Sequence, residues 1–458
     1  MNQVCVAKFG GTSVANYQAM CNCAKIVTSN PNTRLVVLSA SAGVTNLLVA
    51  LASGSLDQAG IEQHMEKLSA IENSILNDLG RPEAITAEIE KLLHEIRDLA
   101  NHAIIEHDDA LTDRIVSFGE IMSTKLFTEV LNKLGFKSKW VDVRTVMRTD
   151  SHFGKAAPII EVISNSAKEI IAPLLDDYIV VTQGFIGSNA IGQTTTLGRG
   201  GSDYSAALLG EALPGCSAIE IWTDVPGIYT TDPRLVPEAH AIPEITFSEA
   251  AEMATFGAKV LHPATIFPAV RKNIPVFVGS SKEPEKGGTW VRKETASKPT
   301  FRAVALRKNQ ILLTLQSPNM IGACGFLANI FSIFAKYGIS VDLITTSEVS
   351  VALTIDYTGS QSNGQSVLSE KLLNELRSFC KVRIDEGLSL IALIGNGMSQ
   401  VSGTGAAVFS SICDVNIRMI CYGASTHNLC FLVNEDQAPK TIAELHHKLL
   451  ENNPTIIK

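Results

Sequence analysis

Apolar, β-rich runs recur through the first part of the chain, and each ends in glycine or small polar residues. They are QVCVAKFG (3–10), RLVVLSASAG (34–43), YIVVTQGFIG (178–187), AIEIWTDVPG (218–227) and IPVFVGSS (274–281). Between the second and third, at about 61–135, Leu and Ile recur at helical spacing among Glu and Lys. Near-continuous apolar strands separated by helices predict an α/β fold with a mainly parallel sheet covered on both faces. Ligands of such sheets bind beyond the carboxyl ends of the strands, which is where this chain puts its glycines, serines and charges. Around 282–300 the pattern breaks into Lys, Glu, Pro and Gly and reads as a boundary.

The last part repeats itself. Residues 312–355 align without gaps on 390–433, an offset of 78, with Leu312/Leu390, Met320/Met398, Gly325/Gly403, Phe331/Phe409, Ile339/Ile417 and Ser347/Ser425 among the identities. Each copy reads strand, glycine loop, helix, strand, turn, strand. GNGMSQ (395–400) begins like a dinucleotide loop but lacks the third glycine, and it falls inside the repeat as that unit's loop.

With 458 residues, about three domains are expected. The net charge of -8, without a basic run, speaks against nucleic-acid binding. Nine cysteines without a CxxC pair read as buried thiols in a reducing cytosol rather than as a disulfide framework or a zinc site. Neither a signal-peptide pattern nor an apolar run long enough to span a bilayer occurs, so a cytoplasmic protein without membrane contact is expected.

GxxxxGK[ST] does not occur, so phosphate must be held in another way. Three glycine-rich strand exits are available: KFGGTS (8–13), LSASAG (38–43) and TTLGRGGSD (195–203). Glycine admits backbone N–H groups close to phosphate oxygens, and a following helix adds its positive end. Lys8 before Gly10-Gly11 is either a cation bridging phosphates or a solvated strand-end lysine. Arg199 can hold a carboxylate in two parallel hydrogen bonds, or be a surface arginine. Ser202, Asp203 and Thr45 can all be helix caps. Glu120 in SFGEIMS can be a solvated helical glutamate, and Asp224 in WTDVPGIYTTDPR can belong to ordinary turn chemistry.

Together these strings resemble the aspartate kinases: KFGGTSV (8–14), LSASAGVTNLL (38–48), SFGEIMS (117–123), GFIGSNAIGQTTTLGRGGSDYSAALL (184–209), WTDVPGIYTTDPR (222–234) and EMATFGAKVLHPAT (252–265). The resemblance covers nearly the whole chain. It is greatest to the monofunctional, lysine-sensitive form, with no room for a homoserine dehydrogenase half. It implies an amino-acid-kinase catalytic domain over 1–292, a linker and first strand over 293–310, and two small α+β ACT domains, 311–388 and 389–458. An opening strand near 300–308 would complete the second of them. The implied reaction is ATP plus L-aspartate to ADP plus 4-phospho-L-aspartate, with ATP carried as its Mg²⁺ complex and no metal site of the protein's own.

Carried over residue by residue, the resemblance gives Lys8 and Asp203 catalytic roles. It assigns aspartate binding to Thr45, Glu120, Arg199, Gly200, Gly201 and Ser202, with Glu120 on the ammonium and Arg199 on the α-carboxylate. Nucleotide contacts fall to Lys8, Gly10, Gly11, Thr223, Asp224, Tyr229, Arg234, Lys259 and Val260. L-Lysine is implied as allosteric inhibitor. At matched positions the first repeat has Asp342 and Glu348 where the second has Ile420 and Thr426. Only the first offers carboxylates for an extra ammonium, so the effector is expected near Met320, Ala323, Phe326, Leu327, Ser340, Val341, Asp342, Ser347 and Glu348. The chain departs from the family at Gly322–Cys324, where relatives carry larger polar and basic residues. A homodimer or dimer of dimers through the ACT domains is implied. Rival readings are a kinase of the same fold acting on glutamate derivatives, carbamate or a nucleotide, and a catalytically silent amino-acid sensor.

Overall fold

The computed structural model describes residues 3–198, 200–257, 261, 263–321, 324–356 and 368–451, without the side chains of 263–266 and 356. The chain divides into two compact units. The first comprises 1–228, 241–247 and 259–295; the second comprises 229–240, 248–258 and 296–458. Two segments inside the stretch expected to be catalytic, Tyr229–His240 and Ser248–Ala258, thus pack with the second unit.

The strands of the first unit are β1 (Val4–Phe9), β2 (Thr33–Leu38), β3 (Ser138–Val141), β4 (Ile179–Gln183), β5 (Ile186–Ser188), β6 (Thr194–Thr196), β7 (Cys216–Thr223), β8 (Glu244–Thr246), β9 (Val276–Ser280) and β10 (Gly288–Arg292). Eight form one sheet in the order β3-β4-β2-β1-β7-β9-β10-β8, with all neighbours parallel except β9 and β10. The chain runs outward from β1 in both directions, so β1 is where the strand order reverses, and its carboxyl end is the expected ligand position. Strand β1 is buried along its whole length, as a central parallel strand must be.

Helices α1 (Tyr17–Ser29), α2 (Val44–Ala52), α3 (Gln58–Leu79), α4 (Glu83–Ala103) and α5 (Asp109–Lys133) cover one face of this sheet. Alternate strand residues Ala7 and Phe9, Val36 and Leu38, and Ile179 and Val181 share a core with them. Helices α7 (Gly201–Ala212) and α9 (Pro263–Lys272) pack against each other, and α7 lies on β1, β2 and β7 with the short α6 (Ile160–Ser166) beside it. Side-chain caps start several helices where the sequence supplies Asn or Asp: Asn16 accepts from the Ala19 amide, Asp57 from Gly60 and Asp108 from Leu111. Helix α5 is buried nearly all round because α3 and α4 cover its outer side.

Three expectations need correction. The run 178–187 is not one strand: at Gly184–Phe185 the backbone turns, with Phe185 at φ 70°, and β5 leaves the sheet to pair with β6. The polar stretch after 282 is more than a boundary, because β10 lies inside it, antiparallel to β9 and parallel to β8. Thr45 does not cap α2; Gly43 occupies that position and Thr45 lies in the first turn.

The second unit contains α8 (Phe247–Thr255) from Ser248 onward, strands β11 (Ala303–Gln316), β12 (Ile344–Thr346), β13 (Ser350–Asp356), β14 (Lys381–Ile394), β15 (Met419–Tyr422) and β16 (Asn428–Asn434), and helices α10 (Phe326–Lys336), α11 (Glu370–Arg377), α12 (Thr404–Ser411) and α13 (Ala438–Leu445). Its six strands form one antiparallel sheet in the order β12-β13-β11-β14-β16-β15. The two long central strands run through both repeats: Ala303–Arg307 of β11 pairs with 390–394 of β14, and Gln310–Gln316 pairs with β13 and with 381–388. The matched glycines of the repeat hold equivalent places. Gly325 (φ 89°) and Gly403 (φ 84°) stand just before α10 and α12, in a left-handed conformation that a side chain would strain. On α8, Glu249 accepts from Arg302 (2.9 Å) and Asn396 (2.6 Å), and Glu252 accepts from Ser425 (2.6 Å) and Asn428 (2.8 Å), which fixes this helix to the second repeat.

Candidate functional site

Five strand exits of the first unit, those of β1, β2, β4, β7 and β9, converge. The Gly10 amide donates to the Trp222 carbonyl at the end of β7, Ala42 donates to the Gly11 carbonyl, and Gly184 donates to Leu38. Glycine is required where these loops touch: a Cβ on Gly11 would lie 2.7 Å from the Ala40 oxygen, and one on Gly184 would lie 2.6 Å from Cβ of Ser202. Ser13 and Ser281 share a hydrogen bond of 2.6 Å, which joins the β1 exit to the β9 exit.

Lys8 projects from the end of β1, 8% exposed. Its ammonium meets the Asp203 carboxylate at 2.6 Å. Asp203 lies in the first turn of α7, whose N-cap is Gly200 with no side-chain cap, so neither Asp203 nor Ser202 is a cap here. The Asp203 carboxylate is directed across the loop to the cation instead, and the solvated-lysine alternative for Lys8 falls away.

Glu120 lies on α5, 3% exposed. Its Oε1 accepts from the Ala40 amide at 3.2 Å, while Oε2 is buried without a protein partner. Burial pushes its carboxyl up to about 8, against the opposing pull of the Ala40 amide and the Lys8 charge. A buried acid with a spare oxygen can take up a cationic group that enters the site, and the solvated-glutamate reading is excluded.

The structure thus brings together Lys8, Gly10, Gly11, Glu120, Gly200, Gly201, Ser202 and Asp203 around the exits of β1 and β2 and the start of α7. Thr45 is half-buried in the first turn of α2. Thr223 ends β7 and donates to Asp224, which is exposed. Tyr229 and Arg234 belong to the second unit, where Arg234 is bound through two nitrogens to Asp232. Arg199, Lys259, Val260 and Ala323 lie outside the described residues. In the second unit, Met320, Phe326 and Val341 pack against one apolar core, Asp342 meets Arg307 at 3.2 Å, Ser347 bonds Ser350, and Leu327, Ser340 and Glu348 are exposed.

The chain matches the amino acid kinase family over residues 3–280 and an ACT domain over 391–449. It is 57% identical to the lysine-sensitive aspartokinase 3 of Escherichia coli, across 98% of this chain and 100% of that protein. The chain belongs to the aspartokinase family. Its identity to the chloroplastic aspartokinase 3 of Arabidopsis thaliana is 36%, over 98% of this chain and 82% of the plant protein. Two crystal structures of E. coli aspartokinase III resemble it in shape, each covering 98% of this chain and 100% of the solved one at 56% identity. With aspartate and ADP bound (R-state) the TM-score is 0.88; with lysine and aspartate (T-state) it is 0.85.

Two groups near the candidate site of this aspartokinase-family chain escaped sequence reasoning. Ser41, on the β2 exit, is buried with its hydroxyl unpartnered. Asp113 on α5 is buried and binds Gly154, in the loop before α6, and Thr196, the last residue of β6. Its spacing of seven from Glu120, which keeps both on one helical face, was the available signal.

Proposed function

We propose that the chain transfers the γ-phosphoryl group of ATP to the β-carboxylate of L-aspartate, forming 4-phospho-L-aspartate, and that L-lysine inhibits it. The observation that carries this reading is the Lys8–Asp203 pair at 2.6 Å beside the half-satisfied Glu120 carboxylate. Phosphoryl transfer needs positioning and neutralisation of charge more than covalent chemistry. The acceptor is already an anion at neutral pH, so no general base is required. Lys8 offsets the charge on the moving phosphoryl group, Asp203 fixes Lys8, and Glu120 receives the substrate ammonium through its spare oxygen. Arg199 takes the α-carboxylate; Thr45, Ser202 and the amides of Gly200 and Gly201 complete the aspartate site. Gly10, Gly11, Thr223, Asp224, Tyr229, Arg234, Lys259 and Val260 serve the nucleotide.

A Mg²⁺ ion would be held mainly by the nucleotide's own phosphates. When bound, that ion adds positive charge at the phosphate oxygens. We assign catalysis to 1–292, the linker and first strand to 293–310 and two ACT modules to 311–388 and 389–458, with lysine in the first. The exposed Ile321, Leu327, Phe331, Ile420 and Tyr422 are compatible with a dimer or dimer of dimers through this unit. Among the described residues no helix is long and apolar enough to cross a membrane, and all nine cysteines are unpaired, in keeping with a reducing cytoplasm.

The test is ADP release with aspartate, glutamate or no acceptor, together with trapping of the acyl phosphate by hydroxylamine. Aspartate alone should support turnover and give a hydroxamate, and Lys8→Ala should lose at least a thousandfold in kcat while keeping its melting temperature. Turnover with glutamate instead, or no trapped product, would refute the reading, and near-normal kcat in the variant would remove Lys8 from the mechanism.

A further inference from the structure

Asp113 lies on α5, 3% exposed and one heptad before Glu120, so the two carboxylates share a helical face about 10 Å apart along the axis. Both of its oxygens accept from the Gly154 amide (3.1 and 2.9 Å), Oδ2 also from the Thr196 amide (2.8 Å), and Oδ1 from the Thr196 hydroxyl (2.8 Å). The two places it holds also hold each other: Ala156 donates to the Thr196 carbonyl at 2.8 Å. The next step leads to the glycine loop. The Gly154 oxygen lies 3.2 Å from where a Cβ on Gly198 would be, and the Gly198 carbonyl accepts from Gly201, the first residue of α7, at 2.9 Å. Gly198 and Gly200 flank Arg199 in sequence.

We propose that Asp113 is a positioning residue for aspartate recognition: it anchors the loop that carries Arg199 to the helix that carries Glu120, so the carboxylate and ammonium ends of the site keep a fixed separation. This rests on the reading that the 198–201 loop receives the α-carboxylate. The chemistry asks for an acid at this position. Three donors converge on it, a carboxylate only accepts, and an asparagine would turn an N–H₂ toward one of them. Truncation leaves those three donors buried and unmet, and the loop relaxes to satisfy them.

The experiment compares Asp113→Ala and Thr196→Val with Arg199→Ala in the full-length enzyme. Removing Asp113 should raise KM for aspartate at least tenfold and leave KM for ATP within twofold; Thr196→Val, which loses one donor, should raise KM for aspartate about threefold. Binding of 3-aminopropanoate, which is aspartate without its α-carboxylate, should change less than twofold in both when measured by competition. If Arg199→Ala raises KM for aspartate but Asp113→Ala leaves it within twofold, the positioning role is overturned. It is overturned equally if both KM values rise together, or if 3-aminopropanoate weakens as much as aspartate. If Arg199→Ala itself has no effect, the carboxylate reading of the loop is wrong and the proposal falls with it. Should Asp113→Ala fail to fold, Thr196→Val decides by the same criteria.

Discussion

Glu120 shows how burial leaves one carboxylate half-satisfied and shifts its titration. Its carboxyl is buried, hydrogen-bonded on one side only, and pushed up to about 8. Near neutral pH the free enzyme therefore holds it mostly protonated, whereas an arriving ammonium needs it ionised. If Glu120 receives the substrate ammonium as proposed, aspartate binding releases a proton, and KM for aspartate should fall roughly fifteenfold as pH rises from 6.5 to 8, following the ionised fraction. Glu120→Gln should raise KM at every pH and remove this slope. Initial rates at several aspartate concentrations across that range measure it. A slope that persists in the variant would assign the titration to another group. Lys8 differs from Glu120 in having its counter-charge already in place, since Asp203 compensates it before any ligand arrives. The pair keeps a buried cation affordable, because an isolated ammonium in this setting would be costly to desolvate.

At the scale of elements, strand exits and the helical insertion were legible in the sequence and smaller pieces were not. Strands β1, β2, β7 and β9 announce themselves as apolar runs ending in glycine, because a central parallel strand is buried on both faces. Strand β3 (SKWV) is four residues long, half of them polar, at the sheet's edge, and β10 (GTWVR) sits among lysines and glutamates; neither carries the buried signature. Of the site, Lys8, Glu120 and Asp203 could be named from their strings, whereas the partnering of Lys8 with Asp203 needed the tertiary fold, as did the burial of Asp113. Helix α3 holds a group no pattern would place there. Glu72 is fully buried with both oxygens unpartnered, and burial alone pushes its carboxyl from 4.5 to about 8. A folded-state value above the unfolded one means the contribution is intact below about 4.5 and is lost as pH rises toward 8. Glu72→Met should therefore stabilise the protein more at pH 8 than at pH 5.5, by up to about 3 kcal/mol of added difference. Urea melts of both proteins at the two pH values test this, and a gain independent of pH would show that Glu72 does not titrate between them.

At the scale of the molecule, the proposed catalytic constellation Lys8–Glu120–Asp203 belongs to the first unit and the candidate effector residues to the second, so the proposed inhibition is a coupling free energy between distinct sites. The segments Tyr229–His240 and Ser248–Ala258 give that coupling a covalent basis. The sequence strings that carry them belong to the kinase motifs, yet they fold with the strands of the second unit, and Glu249 and Glu252 secure one of them there. Asp342 is the residue through which lysine is expected to enter this scheme. In the free chain its carboxylate faces Arg307 at 3.2 Å. A lysine ε-ammonium can bind the same carboxylate, whereas the second repeat, with isoleucine at the matched position, offers no charge. Asp342→Ala should raise the lysine concentration for half-inhibition at least tenfold, equivalent to about 1.4 kcal/mol, and leave the uninhibited kcat and both KM values within twofold. Linkage adds a second arm that needs no mutation: if lysine weakens aspartate binding by some factor, saturating aspartate must weaken lysine binding by the same factor at the same ADP concentration, measurable by calorimetry. An inhibition curve unmoved in the variant would place the effector elsewhere. Weakening that grows without limit as the other ligand is raised, instead of levelling off, would mean that lysine and aspartate compete at one site; factors that drift with protein concentration would reveal linked subunit association.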